Sequence, residues 1–349
     1  MYDVVHLVRL YKPNVGGMEL IVENIARVQI KQGLNVLILT SDHRAKNNLE
    51  EIIDNIKVLR LPSITIRGII FPWFLFNKQK IETRCLHVHG MDPFVDFSQK
   101  IIRFNKKVLS PHGSFYHTHS LKLLKDIYWS LISKPRYSKV TSYCISKNDV
   151  AMMSNLTKKT ELMGCGITTR NVYSEGQDSI IFGRISPNKR VQFSIDFAQR
   201  NFSENKIYVA GENQQKLDFS KYGNNLDYFG KIDDEDLSCL IRKSKYFICM
   251  SSYEGLGIAL LEALYCGLRC CISSIESFNN IISDIPKDIR KKFIYVLGSS
   301  EAIDDWKNIQ VSREDQKIMR DYILENYSWE KVVKNLKYGK KNGEYGGIT

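Results

Sequence analysis

The sequence predicts an α/β protein of two doubly wound domains, and three observations carry that prediction. Its 349 residues exceed what one ordinary core needs and suit two α/β domains. Apolar runs of strand length alternate with helix-period segments from start to finish, and repeated units of that kind imply a parallel sheet covered on both faces. A polar, glycine-containing stretch, Gly164 to Gln177, separates one series of such units from a second. The domains are placed at 1–168 and 169–326, with a terminal helix and polar tail over 327–349.

In the first series Val4–Val8 is the opening strand. Gly17–Gln32 follows as a helix with Met18, Ile21, Val22, Ile25 and Val28 on one face, and Gly33 stops it. Asn35–Thr40, Lys57–Leu61, Cys85–His89, Lys107–Leu109 and Val140–Ile145 read as further strands, with helical stretches around Phe97 and Leu124. The second series has strands at Ser179–Phe182, Lys206–Ala210, Leu226–Phe229, Tyr246–Met250, Leu268–Ser273 and Phe293–Leu297. Asp233-Asp234-Glu235-Asp236 opens a helix through Leu237, Leu240 and Ile241, where acidic side chains cap orphan amides instead of holding a metal. Ser328 to Val333 is a last helix, and Gly339 to Thr349 a polar tail.

Hydrophobic residues at 43% and charged residues at 25% are normal for a globular protein that folds without a partner. No charge-free apolar run approaches the roughly 18 residues of a spanning helix, and Met1-Tyr2-Asp3 leads into a strand pattern instead of a signal peptide. The expected location is cytoplasmic. Eight cysteines form no CxxC pair and no His/Cys ligand cluster, so reduced, mostly buried thiols and no metal are expected. The net charge of +12 is uneven: residues 60–140 hold fourteen lysines and arginines against Glu82, Asp92, Asp96 and Asp126. Such a basic face suits anionic lipid, a diphosphate-bearing acceptor or nucleic acid, and charge alone does not choose among them. Two segments rich in aromatic and aliphatic residues and bordered by cations, Ile69–Phe76 and Leu121–Ile132, suit either shallow membrane contact or the first domain's core.

The residues with chemistry lie just beyond strands, where ligands bind in open parallel sheets. Glu254-Gly255-Leu256-Gly257-Ile258-Ala259-Leu260-Leu261-Glu262 puts two carboxylates eight residues apart around a helix start. Unpaired amides and the positive helix end suit a diphosphate, the glycines admit its oxygens, and the carboxylates can hold sugar hydroxyls. Gly183-Arg184-Ile185-Ser186-Pro187-Asn188-Lys189 offers a guanidinium and an ammonium five residues apart, able to neutralise a leaving diphosphate. Gly16-Gly17 forms a second amide-rich turn. Among the histidines, His112 in Ser110-Pro111-His112-Gly113 is the better candidate for a sugar hydroxyl, and His87 and His89 are read as structural hydrogen-bonding groups.

On these motifs the chain resembles the GT-B glycosyltransferases of family 4, retaining enzymes that include many bacterial polysaccharide and lipopolysaccharide sugar transferases. The likeness rests on Gly16-Gly17-Met18-Glu19, Ser110-Pro111-His112-Gly113, the Gly183-Arg184 to Lys189 turn and above all Glu254 to Glu262. It implies two Rossmann-like domains facing an interdomain cleft. It further implies that Arg184 and Lys189 bind the donor diphosphate, Glu254 the transferred sugar and Glu262 the ribose. Backbone groups at Leu256, Gly257 and Ile258 would add contacts, Lys231 and Ile232 would lie near the base, and the first domain would supply Gly16, Gly17 and His112 and bind the acceptor. Two departures stand out: Arg190 follows Lys189 where a glycine is usual, and Gly164-Cys165-Gly166 replaces a common asparagine-glycine turn.

The implied reaction moves a sugar from a nucleoside diphosphate sugar to a hydroxyl of a growing O-antigen, capsule or exopolysaccharide, with a lipid-diphosphate-linked acceptor and a peripheral position on the inner membrane face. No nucleophile or strong general base stands out, which fits a front-face mechanism in which the departing phosphate takes the acceptor's proton and no metal is required. Two competing readings remain open from sequence: a non-hydrolysing nucleotide-sugar epimerase of similar architecture, and a nucleic-acid-binding protein. The absence of a recognisable RNA- or DNA-binding module weighs against the second.

Overall fold

A computed structural model describes residues 1–14, 16–42, 50–73, 80–112 and 127–338. Of the segments singled out above, Gly113, residues 74–76, residues 121–126 and the tail from Gly339 lie outside them. The chain forms two units, one of Met1–Gly166 with the segment from Trp329 onward, the other of Ile167–Ser328. The terminal helix Trp329–Asn335 therefore belongs to the amino-terminal unit.

The amino-terminal unit is built on strands β1 (Tyr2–Val8), β2 (Val36–Ser41), β3 (Glu50–Ile53), β4 (Ile56–Leu61), β7 (Ile81–His89), β8 (Ile102–Ser110), β9 (Thr141–Cys144) and β10 (Lys159–Leu162), with a separate hairpin of β5 (Ser63–Ile66) and β6 (Ile69–Pro72). The sheet order is β10-β9-β8-β7-β1-β2-β4-β3, parallel except at the β3 edge. Central strands are buried on both faces, which explains why they read as unbroken apolar runs. Val5, Leu7, Leu37, Leu39, Leu86 and Val88 supply one layer. On the opposite layer Val8, Val36, Ile38 and Val58 meet Val22 and Ala26 of the helix Gly17–Lys31. The hairpin turns on Arg67 and Gly68, both at positive φ, the backbone of the tight two-residue connection that matches strand twist. It leaves Ile66 55% and Trp73 66% exposed. Trp129, which the sequence left between core and membrane, is buried in the core, whereas Leu131 is 72% exposed.

The carboxy-terminal unit has six parallel strands: β11 (Asp178–Phe182), β12 (Ile207–Ala210), β13 (Leu226–Tyr228), β14 (Ser244–Cys249), β15 (Arg269–Ile272) and β16 (Ile294–Val296). Their order is β13-β12-β11-β14-β15-β16, so the winding direction reverses between β11 and β14. That reversal opens a crevice at the carboxyl ends of those two strands, the usual ligand position in this topology. The amino-terminal sheet reverses between β1 and β7. The helix Asp234–Lys243 is capped by Asp233, whose side chain accepts from the amides of Glu235 and Asp236. All eight cysteines are free, and Cys239 alone among them is exposed.

Candidate active site

Two loops meet at the reversal point of the carboxy-terminal sheet. The loop after β11 ends in the short turn Pro187–Lys189, and the loop after β14 runs from Met250 to the helix Ile258–Tyr265. They are stapled by the Ser252 amide donating to the Asn188 carbonyl at 2.8 Å and the Asn188 side chain donating to the Tyr253 carbonyl at 3.0 Å. The staple holds Lys189 Nζ 2.6 Å from Glu254 Oε1, and Ser251 Oγ donates to the same oxygen at 2.7 Å. Glu254 is 9% exposed and Lys189 22%, so the carboxylate relies on this ammonium while the ammonium keeps contact with water. Arg184, on the same loop, is exposed.

The helix that follows begins at Gly257, whose φ of +81° is the left-handed conformation that a side chain resists. A Cβ there would also sit 2.8 Å from the Phe278 ring. Gly257 thus turns the chain so that the first-turn amides, which have no partner within the helix, point out of its positive end. Leu256 and Ile258 flank this turn and are half-buried. Arg190 has φ +47°, which explains why a glycine is usual at that position, and its guanidinium stacks 4.6 Å from the Phe193 ring centroid.

Glu262 engages a different cation. Its carboxylate lies 3.2 Å from Arg170 Nη1 and accepts from the Thr168 amide at 3.2 Å, while Arg170 Nη2 reaches Asp234 at 2.7 Å. Arg170 is only 8% exposed. Sequence reading passed over Arg170 because it lies in the polar stretch taken as a linker. The structure therefore sorts the proposed donor residues into two charge groups, Lys189 with Glu254 and Arg170 with Glu262 and Asp234. Lys231 is exposed, and Ile232 rests against the core beside it.

In the amino-terminal unit Gly16 precedes the helix in extended backbone and Gly17 opens it. The Glu19 carboxylate lies over this turn, against the position a Gly16 Cβ would take. Burial raises its pKa and a bond to its own amide opposes the rise. A phosphate at Gly16-Gly17 would have to displace that carboxylate.

Among the described residues His6, His87, His89 and His112 form one continuous group. His6 Nε2 is 2.8 Å from Gln29 Oε1, His6 Nδ1 is 2.9 Å from His89 Nε2, and His89 Nδ1 is 2.9 Å from His112 Nε2. His87 is held by Tyr338 and Ser110, each at 2.8 Å. His6 went unremarked in the sequence because its neighbours come from other strands. Burial lowers the pKa of His6 and of His112 to about 4, and those of His87 and His89 well below the ordinary value. One nitrogen from each of His6, His87 and His89 lies within a span of 4.8 Å, close enough for a metal ion, a grouping the sequence did not show.

Comparison with known proteins adds the decisive observation. Residues 170–316, which carry Arg184, Lys189, Glu254 and Glu262, match the family model described as glycosyl transferases group 1. Residues 170–316 form a glycosyl transferases group 1 domain in a chain with the GT-B fold of a glycosyltransferase. The glycosyltransferase is 26% identical over 314 residues to the GDP-mannose:cellobiosyl-diphosphopolyprenol alpha-mannosyltransferase of Xanthomonas campestris, covering 80% of this chain and 81% of that one. It is also 26% identical to the enzyme of the same name from Komagataeibacter xylinus, over 80% and 77% of the two chains. Its fold matches a crystal structure of a glycosyltransferase from Rickettsia africae with a TM-score of 0.66 at 13% identity, over 95% and 96% of the two chains. Among its described residues no helix is long and apolar enough to cross a membrane.

Proposed function

We propose that the enzyme transfers a hexosyl residue, with retention of configuration, from a nucleoside diphosphate sugar to a hydroxyl of a lipid-diphosphate-linked oligosaccharide in cell-surface glycan assembly. The observation that carries this reading is the Lys189–Glu254 pair beside the first turn of the helix Ile258–Tyr265, at the winding reversal of the carboxy-terminal sheet. The names of the Xanthomonas and Komagataeibacter relatives support GDP-mannose as the donor and a polyprenol diphosphate glycan as the acceptor.

On this reading Lys189, Arg184 and the first-turn amides take up the charge of the departing diphosphate, and no metal is needed for that step. Glu254 orients Lys189 and accepts from a hydroxyl of the sugar, while Glu262, held by Arg170, accepts from the ribose. With no nucleophile assigned, the leaving phosphate oxygen takes the acceptor's proton on the face it departs from. The amino-terminal unit supplies His112 to a sugar hydroxyl and binds the acceptor through its basic surface, and the apolar hairpin with Trp73 rests on the headgroups of an anionic membrane.

The test is a thermal-shift series with GDP-mannose, UDP-glucose, UDP-N-acetylglucosamine and ADP-glucose, followed by NMR of the product formed on a polyprenol diphosphate glycan. Stabilisation by GDP-mannose and an axial, α-configured product are expected. Inversion at the anomeric carbon, or turnover abolished by a chelator, would overturn the mechanism.

A further inference from the structure

The histidine group occupies a distinctive place. His6 lies on β1 directly opposite His87 on β7, with His89 two residues further on the same strand, so the imidazoles line the reversal point of the amino-terminal sheet. The line runs from Gln29 inside the fold to His112, which follows the carboxyl end of β8. In this topology that is the edge where ligands bind. His112 also has φ +52°, an unfavourable conformation for a non-glycine residue that concentrates at functional positions.

A neutral imidazole has one nitrogen that donates and one that accepts, so neighbouring rings in a chain fix one another's tautomers. Gln29 Oε1 can only accept, which puts a proton on His6 Nε2 and leaves His6 Nδ1 as an acceptor. His89 must then donate from Nε2, and His112 must donate from Nε2 to His89 Nδ1. What remains at the end is His112 Nδ1, a lone pair closed to solvent and without a hydrogen-bond partner among the described residues. An unsatisfied buried acceptor costs about 1–3 kcal/mol, a deficit that a ligand hydroxyl removes. A metal ion is the weaker occupant of this group, because all six ring nitrogens of His6, His87 and His89 already have protein partners it would have to displace.

We propose that Gln29, His6 and His89 form a tautomer relay that presents His112 Nδ1 as a hydrogen-bond acceptor for a hydroxyl of the sugar or glycan bound at this sheet edge. His112 is then a selective contact for a donor hydroxyl and not an acid. Gln29, His6 and His89 are positioning residues, and the choice of ligand class rests on the function proposed above.

The experiment is nitrogen-15 NMR of the histidine rings in the full chain at neutral pH, which reads each tautomer without any substrate. His6, His89 and His112 should all carry the proton on Nε2. In Gln29→Met the His112 signal should become a mixture of tautomers, and Gln29→Glu, which keeps an acceptor, should restore the single form. A wild-type proton on His112 Nδ1, or a Gln29→Met spectrum unchanged in a folded protein, would overturn the relay. The ligand half is tested by turnover: Gln29→Met should lower kcat/KM about tenfold toward the natural sugar and hardly change it toward the deoxy analogue lacking the contacted hydroxyl. Equal losses toward both would overturn the hydroxyl contact. The NMR result stands whatever the donor proves to be, so failure of the relay and failure of the proposed transfer are distinguishable.

Discussion

Glu254 and Glu262 stand eight residues apart at the opening of one helix, yet their surroundings give them different work. Glu254 faces Lys189 and Ser251, both in loops at the reversal point. Glu262 holds the buried Arg170 guanidinium, shared with Asp234. Glu254→Gln should therefore leave thermal stability nearly unchanged and lower kcat about 100-fold, the usual cost of removing one charge-organising group. Glu262→Gln should weaken nucleotide binding and also destabilise the fold, by about 1–2 kcal/mol since Asp234 still faces Arg170. Steady-state kinetics beside denaturant titration of the two variants checks the contrast, and a large stability loss in Glu254→Gln would reverse the assignment. Residue chemistry was readable in the sequence here, but partnership was not. Lys189 and Glu254 are 65 positions apart, and Arg170 looked like one more polar linker residue.

Among the elements, the short turn into the helix Ile258–Tyr265 depends on a backbone that only glycine adopts freely, above a phenyl ring that leaves no room for a methyl group. Gly257→Ala should cost about 1–3 kcal/mol of stability and displace the first-turn amides. Donor affinity measured by calorimetry should fall more than for Gly255→Ala, where a Cβ meets open space. The paired strands β1 and β7 carry a different liability. His6 is neutral in the folded protein with a pKa near 4, against 6.5 for an ordinary histidine. As pH falls from 6.5 toward 4 the unfolded chain binds protons that the folded one does not, so stability is intact above 6.5 and declines through this window, by roughly 3 kcal/mol for His6 alone. Asp92, whose carboxyl is raised to about 6 by burial, works the other way, gaining stability as pH falls over the same range. With four lowered histidines against it, the net urea midpoint should drop between pH 7 and pH 4.5. An unchanged midpoint would show that the imidazoles are not closed to water.

Strand runs buried on both faces were legible because parallel sheets leave no polar alternation to confuse them. Four elements were missed, three of them for the converse reason. Glu50–Ile53, Lys159–Leu162 and Ser63–Ile66 are four residues long, partly exposed and without an apolar run, whereas Ile69–Pro72 is apolar but was read as core or membrane contact instead of a strand. The histidine group was invisible because its members come from two strands and a loop, with Gln29 reaching them from a helix.

For the molecule as a whole, the proposed membrane contact rests on the net charge of +12 and the exposed Ile66 and Trp73 of the hairpin. Vesicles containing anionic lipid should bind the enzyme at low salt and release much of it at about 0.5 M salt, where screening shortens the reach of charge to a few ångströms. Trp73→Ala should weaken binding at every salt concentration, and equal binding to neutral vesicles would refute the electrostatic part. The two-unit layout also bears on how the chain is made. Trp329 closes over Gly166 in the amino-terminal unit, while Ile167 and Tyr327 are joined by a backbone hydrogen bond within the other. Residues 167–328 are thus an insertion, complete in themselves, between the parts of an interrupted partner. During synthesis the inserted half emerges whole, whereas the half begun first waits for its final helix, so the order of completion on the ribosome runs opposite to the order of translation.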